Sequence, residues 1–129
     1  MKNILHTSNL TSLKKIYQGK VRDVYEIDNE NILIVATDRV SVFDVILPTP
    51  IPNKGIILNQ VSNFWFKKFE NLIENHTSPL NIDNINLTNE EFNEIEGRFI
   101  IAKKLKALPV ESIVRSYLIG SGYSDYLSK

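Results

Sequence analysis

Ile32-Leu33-Ile34-Val35-Ala36 is an unbroken apolar run between two polar blocks, Asp28-Asn29-Glu30-Asn31 before it and Thr37-Asp38-Arg39 after it. Its length suits a strand, and its lack of polar alternation requires that both faces be covered. The block before it has turn chemistry. Upstream, Val21, Val24, Tyr25 and Ile27 are apolar positions broken by Arg22, Asp23 and Glu26. Residues 13–37 are therefore predicted to form a hairpin. The abrupt polar end matters, because a rigid strand fixes functional groups while their heads reach solvent or ligand.

Downstream, Pro48, Pro50 and Pro52 stand at alternate positions. They support neither a helix nor an interior strand, so residues 47–55 are predicted to form an extended connector. Ile57, Val61, Phe64, Trp65, Phe69 and Leu72 then recur at helical steps, with Asn63, Lys67, Lys68 and Glu70 between them. This spacing predicts one long helix, and its aromatic stripe is expected to be core. Thr88-Asn89-Glu90-Glu91 has the form of a capping box and predicts a short helix. Residues 98–106 and 112–118 are predicted as two further strands. The pattern as a whole points to an α+β fold, an antiparallel sheet with helices on one side.

The chain has 129 residues with a hydrophobic share of 43%, enough for one domain with its own core. Fifteen basic residues balance fifteen acidic ones. That balance, without a basic stripe interleaved with aromatics, disfavours a nucleic-acid or membrane-surface role. There are no cysteines, which excludes disulfides and thiolate metal sites. The first residues carry no long apolar segment of the signal-peptide kind, and the cytoplasm is the expected location. His6 and His76 stand apart from any second ligand at metal spacing, so they are not read as metal ligands.

Three clusters could carry chemistry. In Gly19-Lys20-Val21-Arg22, glycine lets the backbone approach an anion. Lys20 and Arg22, two apart, would share a strand face and either meet one phosphate chain or stand as solvated charges. In Asp38-Arg39-Val40-Ser41-Val42-Phe43-Asp44, two carboxylates, a guanidinium and a hydroxyl gather past the buried run. They form either a salt-bridged corner or a polar substrate site. The third cluster spans Lys103, Lys104 and Lys106, then Glu111 and Arg115, then Gly120-Ser121-Gly122. An inward lysine would neutralise nucleotide phosphate, and register decides which one points inward. Arg115, within an otherwise apolar stretch, calls for an anionic partner, and a phosphate suits its planar fork.

Taken in order, five motifs resemble the N-terminal half of SAICAR synthetase (phosphoribosylaminoimidazole-succinocarboxamide synthase). They are Tyr17-Gln18-Gly19-Lys20-Val21-Arg22-Asp23-Val24-Tyr25, Ala36-Thr37-Asp38-Arg39-Val40-Ser41-Val42-Phe43-Asp44, Pro50-Ile51-Pro52-Asn53-Lys54-Gly55, Leu108-Pro109-Val110-Glu111-Ser112-Ile113-Val114-Arg115 and Gly120-Ser121-Gly122-Tyr123. The resemblance implies a twisted antiparallel sheet with one long and one or two short helices, like the nucleotide-covering lobe of protein kinases. It also implies a ligase of purine biosynthesis that uses ATP and Mg2+ to join L-aspartate to carboxyaminoimidazole ribonucleotide.

By the same resemblance, Gly19, Lys20, Val21 and Arg22 would contact nucleotide phosphate, and Lys103 or Lys104 would reach the nucleotide. Lys106, Ala107 and Leu108 would form the hinge beside adenine. Asp38, Arg39, Ser41 and Asp44 would belong to the substrate-side loop, with Glu111 helping to position substrate. Arg115 and Ser121 would grip the ribonucleotide's phosphate. Members of the family are longer, so residues 1–129 would form the N-terminal lobe. A C-terminal lobe carrying the acidic magnesium ligands would be missing, and the chain alone is expected to give little or no turnover. The alternative is a non-catalytic nucleotide- or phosphate-binding module on the same fold.

Overall fold

The chain is seen here in a computed structural model, which describes residues 4–110 and 112–128. The predicted hairpin is a meander of three strands, β1 (Lys14–Gln18), β2 (Arg22–Glu26) and β3 (Asn31–Ala36). The extra strand, β1, has little apolar alternation and carries a bulge between Lys15 and Tyr17, which hides it from a period-two reading. The turn before β3 is closed by Asp28, whose Oδ1 accepts the N–H groups of Glu30 and Asn31, both at 2.7 Å.

Two strands of two residues each, Ser41–Val42 (β4) and Val45–Ile46 (β5), form a small separate hairpin. Its central residues, Phe43 and Asp44, have φ of 47° and 68°. A two-residue turn of this hand normally takes asparagine or glycine, so Phe-Asp gave no hairpin signal. Helix α1 (Lys54–Phe69) follows the proline-rich connector, and α2 (Asn89–Ile95) comes next. Strand β6 (Phe99–Lys103) and a terminal helix, α3 (Ser121–Leu127), complete the order. The main sheet is antiparallel throughout, in the order β1-β2-β3-β6. This is the expected α+β fold, with one long and two short helices, but not with the helices on one side: α1 lies over Ile34 and Ile100, while Ile95 of α2 packs against Leu33 and Val35 on the other face.

Register sorts the side chains into two faces. Val24, Ile34 and Ile100 are direct neighbours across β2, β3 and β6, and Arg22 pairs with Ala36 beside them. The alternate residues, Asp23, Tyr25, Leu33, Val35 and Ile101, are buried on the opposite face. There they meet Leu5, Leu10, Ile85 and Ile95 to form the core. The N-terminal segment is thus part of the core, a role its few apolar residues did not announce.

Two further expectations are overturned. The apolar stripe of α1 is not core: Ile57, Val61, Phe64, Trp65, Phe69 and Leu72 are all exposed, Trp65 by 46% and Leu72 by 79%. The helix meets β3 and β6 with another face, burying Gly55 and Asn59 and half-burying Ser62 and Phe66. Asn59 Nδ2 donates to the Phe99 carbonyl at 2.9 Å. The stripe instead stacks on itself, Trp65 against Phe69 at 5.4 Å with Lys68 over the Trp65 ring. Periodicity identified the helix but not the contact face, which close backbone approach decides. The second correction is residues 112–118, which form no strand. The outer edge of β6 is already taken by residues 76–78, with Lys103 N–H donating to the His76 carbonyl and Ser78 N–H to the Ile101 carbonyl.

The capping box stands as predicted. The Glu91 N–H donates to Thr88 Oγ1 and the Thr88 N–H returns to Glu91 Oε2. Glu91 also accepts from the Ser12 N–H at 2.9 Å and from Thr11 Oγ1 at 3.0 Å, which ties α2 to the N-terminal segment. The bonds from Ser12, Thr88 and Thr11 hold its carboxyl down at about 2. Among the described residues, no helix is long and apolar enough to cross a membrane.

Gly55 makes the α1 contact possible, since a Cβ there would lie 2.2 Å from the Ala36 carbonyl oxygen. Gly55→Ala should gain about 1 kcal/mol of helix propensity but force α1 off the sheet. The expected net result is a loss of about 2 kcal/mol or more in urea unfolding, because the clash is with backbone. An unchanged midpoint would contradict this packing. Glu91 should still be ionised at pH 3.5 by carboxyl NMR, and Glu91→Ala should destabilise the chain by about 1 kcal/mol or more through loss of the capping box.

Candidate functional site

The buried apolar strand β3 ends in a corner of charged groups that the chain itself consumes. Asp38 Oδ2 accepts the Leu5 N–H and Oδ1 accepts the Gly55 N–H, both at 2.9 Å. Arg98 Nη1 forms an ion pair with Oδ2 at 3.0 Å. Burial pushes the Asp38 carboxyl up, but the two backbone N–H groups and the Arg98 guanidinium outweigh it and hold it below the ordinary range. One carboxylate therefore joins the N-terminal segment, the start of α1 and the start of β6.

Arg39, also buried, reaches the other way. Its Nη2 contacts Asp23 Oδ1 at 2.8 Å and donates to the Gly19 carbonyl at 2.9 Å, while Nε donates to the Lys20 carbonyl at 2.9 Å. Nη1 donates to the His6 carbonyl. Thr37 takes the next carbonyl, Val21, through its N–H at 3.0 Å and its Oγ1 at 2.8 Å. Three consecutive carbonyls of the β1–β2 turn are thus drawn inward. In a trans peptide the N–H points opposite to its carbonyl, so the amides of Lys20, Val21 and Arg22 are directed away from these anchors. Oriented backbone amides of this kind favour an anion. Asp23 also accepts the Ser8 N–H and Oγ, both at 2.8 Å. Burial raises its carboxyl, and the bonds from Arg39 and Ser8 more than reverse this, leaving it below the usual value.

The residues singled out in the sequence fall into three groups. Asp38 and Arg39, expected on a substrate-side loop, are 0% and 2% exposed and form the salt-bridged corner instead. The reason is physical: charges this deep must spend their donors and acceptors on internal partners. Ser41 is half-buried in β4, and Asp44 projects from the hairpin tip, where it meets Lys20 Nζ at 2.6 Å. The substrate-side hairpin and the glycine-lysine turn are thereby brought together.

Register separates the two candidate lysines. Lys103 pairs with Asn31, while Lys104 turns to the face of Val24 and Ile34 and forms an ion pair with Glu26 at 2.5 Å. Lys106, Ala107 and Leu108 follow in an exposed, extended segment. Arg115 Nη1 donates weakly to the Ile119 carbonyl at 3.4 Å, and Ser121 opens α3 after Gly120. Among the described residues, neither Arg115 nor Ser121 bonds to the sheet site. Glu111 lies outside the described residues.

Sequence reasoning missed Asp23, Arg98 and Lys54. Asp23 carried a signal, since a carboxylate alternating with Tyr25 on a core face must have a buried cation. Arg98 looked like an ordinary strand start, and its role depends on a residue sixty positions away. Lys54, the first residue of α1, lines a cavity of about 160 Å³ between α1 and the sheet together with Val21, Arg22 and Thr37. Two larger hollows, of about 480 and 670 Å³, lie along the β6 edge; the first includes Lys67 with Glu70, and the second includes Lys103 and Lys104 with Glu30. The smaller cavity is the chemically distinctive one, because cations from two elements meet there with no carboxylate in its lining.

A sheet face half-covered by α1, a turn with outward amides and cations around one end mark this α+β lobe. The chain belongs to the SAICAR synthetase family, whose model matches residues 15–129. It is similar to the phosphoribosylaminoimidazole-succinocarboxamide synthases of Thermodesulfovibrio yellowstonii (54% identical over 127 residues) and Thioalkalivibrio sulfidiphilus (50% over 126). Each alignment covers 98% of this chain and 43% of the relative. The SAICAR synthase of Saccharomyces cerevisiae, solved in complex with SAICAR, superposes with a TM-score of 0.83 at 35% identity, covering 96% of this chain and 44% of that one. The chain thus spans about two-fifths of the length of the relatives it matches.

Removing Arg39 would strand Asp23 and release the turn carbonyls. Arg39→Ala should lower unfolding stability by about 3–5 kcal/mol, the usual cost of breaking a buried pair from one side. Because Asp23 and Asp38 titrate below their ordinary values, their stabilisation is complete above pH of about 4 and is lost as pH falls through the folded-state values. Urea midpoints measured from pH 7 to pH 2 should therefore be flat at first and fall below about pH 4. A rise in that acid range would refute the assignment.

Proposed function

We propose that this chain is the nucleotide-covering lobe of a ligase that joins L-aspartate to carboxyaminoimidazole ribonucleotide, with ATP as the energy source. In that reaction ATP phosphorylates the carboxylate, the aspartate amine attacks the acyl carbon, and phosphate leaves as SAICAR forms. A carboxylate is a poor electrophile, so the enzyme's part is to hold three reactants and shield polyphosphate charge.

The observation that carries this reading is register. Arg22 and Lys104 lie on the same sheet face as Val24, Ile34 and Ile100, away from the core. Such a face suits ATP, with the base on the apolar part beside Lys106, Ala107 and Leu108 and the phosphates toward Gly19, Lys20, Val21 and Arg22. Ser41, Asp44, Arg115, Ser121 and Glu111 are assigned to the substrates. Asp38 and Arg39 are positioning residues. Magnesium accompanies ATP in the family, but among the described residues no group of three or more His, Cys, Asp or Glu is placed to hold a metal ion. Its ligands are assigned to a C-terminal lobe, which this chain needs for turnover. The location that fits these small-molecule substrates is the cytoplasm.

Calorimetry of the chain with ADP tests the reading. ADP should bind, and Arg22→Ala should weaken it about tenfold or more, as expected for loss of a charge-assisted contact. SAICAR should form only when a C-terminal lobe is supplied. Absence of ADP binding would remove the nucleotide reading, and turnover by the chain alone would remove the need for a second lobe. Nucleotide binding without turnover, even with that lobe present, would instead indicate a non-catalytic binding module.

A further inference from the structure

We propose that Lys54 is a phosphate ligand, and that with Arg22 it forms a two-cation anion seat at the α1 end of the sheet face. Lys54 opens α1 and Arg22 opens β2, and both line the same cavity of about 160 Å³. Among the described residues, neither side chain makes an ion pair or a hydrogen bond. Asp38 is the carboxylate acting on Lys54, but it is already committed to Arg98, Leu5 and Gly55. Partial burial and the neighbouring charge of Arg22 both disfavour the charged form of Lys54, and Asp38 only partly offsets them. Two cations held at one cavity without a counter-ion repel each other, and an anion between them turns that repulsion into attraction.

Two further features favour phosphate. Val21, at the edge of the cavity, belongs to the turn whose amides Arg39 and Thr37 direct outward. The volume is about five times the share of one water, roughly 30 Å³, so it accommodates a single tetrahedral anion with some water. A phosphate has enough oxygens to receive the guanidinium fork, the ammonium and backbone donors together. The inference deepens the nucleotide reading and rests on it for the source of the anion, one group of the ATP polyphosphate.

The test compares binding of inorganic tripolyphosphate, ADP and adenosine to the chain, to Lys54→Gln and to Lys54→Arg, with circular-dichroism melts to verify folding. Lys54→Gln should weaken tripolyphosphate and ADP about tenfold or more and leave adenosine unchanged, with Lys54→Arg recovering most of the loss. Should the variants fold poorly, the Lys54 side-chain NMR signals of the unmutated chain serve instead, and they should shift and saturate with tripolyphosphate. If ADP fails to bind while tripolyphosphate binding still depends on Lys54, the seat stands and the nucleotide reading falls. If ADP binds equally well to Lys54→Gln and the Lys54 signals do not move, the proposal is overturned while the nucleotide reading stands.

Discussion

The Asp38 carboxylate is the constraint on which the rest of the lobe depends. It sits at the end of the central strand, where no water reaches, and draws three segments distant in sequence onto one point. A buried carboxylate is costly unless all its acceptors are used, so the fold is stable only when Leu5, Gly55 and Arg98 are all in place. This requirement selects the geometry of α1. The helix must approach close enough for its Gly55 N–H to reach Asp38, only glycine permits that approach, and the apolar stripe is turned outward as a result.

The adjacent pair, Asp23 and Arg39, extends the same corner to the β1–β2 turn. Arg39 spends its guanidinium on the carbonyls of Gly19, Lys20 and His6 as well as on Asp23, so one side chain fixes both the N-terminal segment and the β1–β2 turn. A buried ion pair on its own is weak evidence for stability. Its value here is directional, because anchoring carbonyls on one side presents amides on the other. Lys54, which looks unrelated in sequence to Lys20 and Arg22, is set with them around one end of the sheet by this scaffold.

Much of this was legible in the sequence, and the exceptions have physical causes. The apolar run 32–36 and the Thr88–Glu91 box could be read because their signals are local. The choice between Lys103 and Lys104 could not, since it depends on register against β3. The stripe of α1 was misread because periodicity reports where apolar residues lie, while the contact face was set by one glycine and one distant carboxylate. Asp38 and Arg39 were recognised as important, but whether they meet a ligand or internal partners such as Arg98 and Asp23 depends on burial. The β4–β5 hairpin was invisible because Phe43 and Asp44 adopt left-handed backbone without the residues that usually mark it.

The most direct measurement is a map of backbone amide shifts as ADP is titrated into the isotopically labelled chain. The account places the changes on Lys20, Val21, Arg22, Ile34 and Lys54, the face opposite the core, with the largest at the turn whose carbonyls Arg39 holds. Changes centred instead on Asn29, Asn31, Ser78 and Leu80, around the larger hollow at the β6 edge, would contradict it.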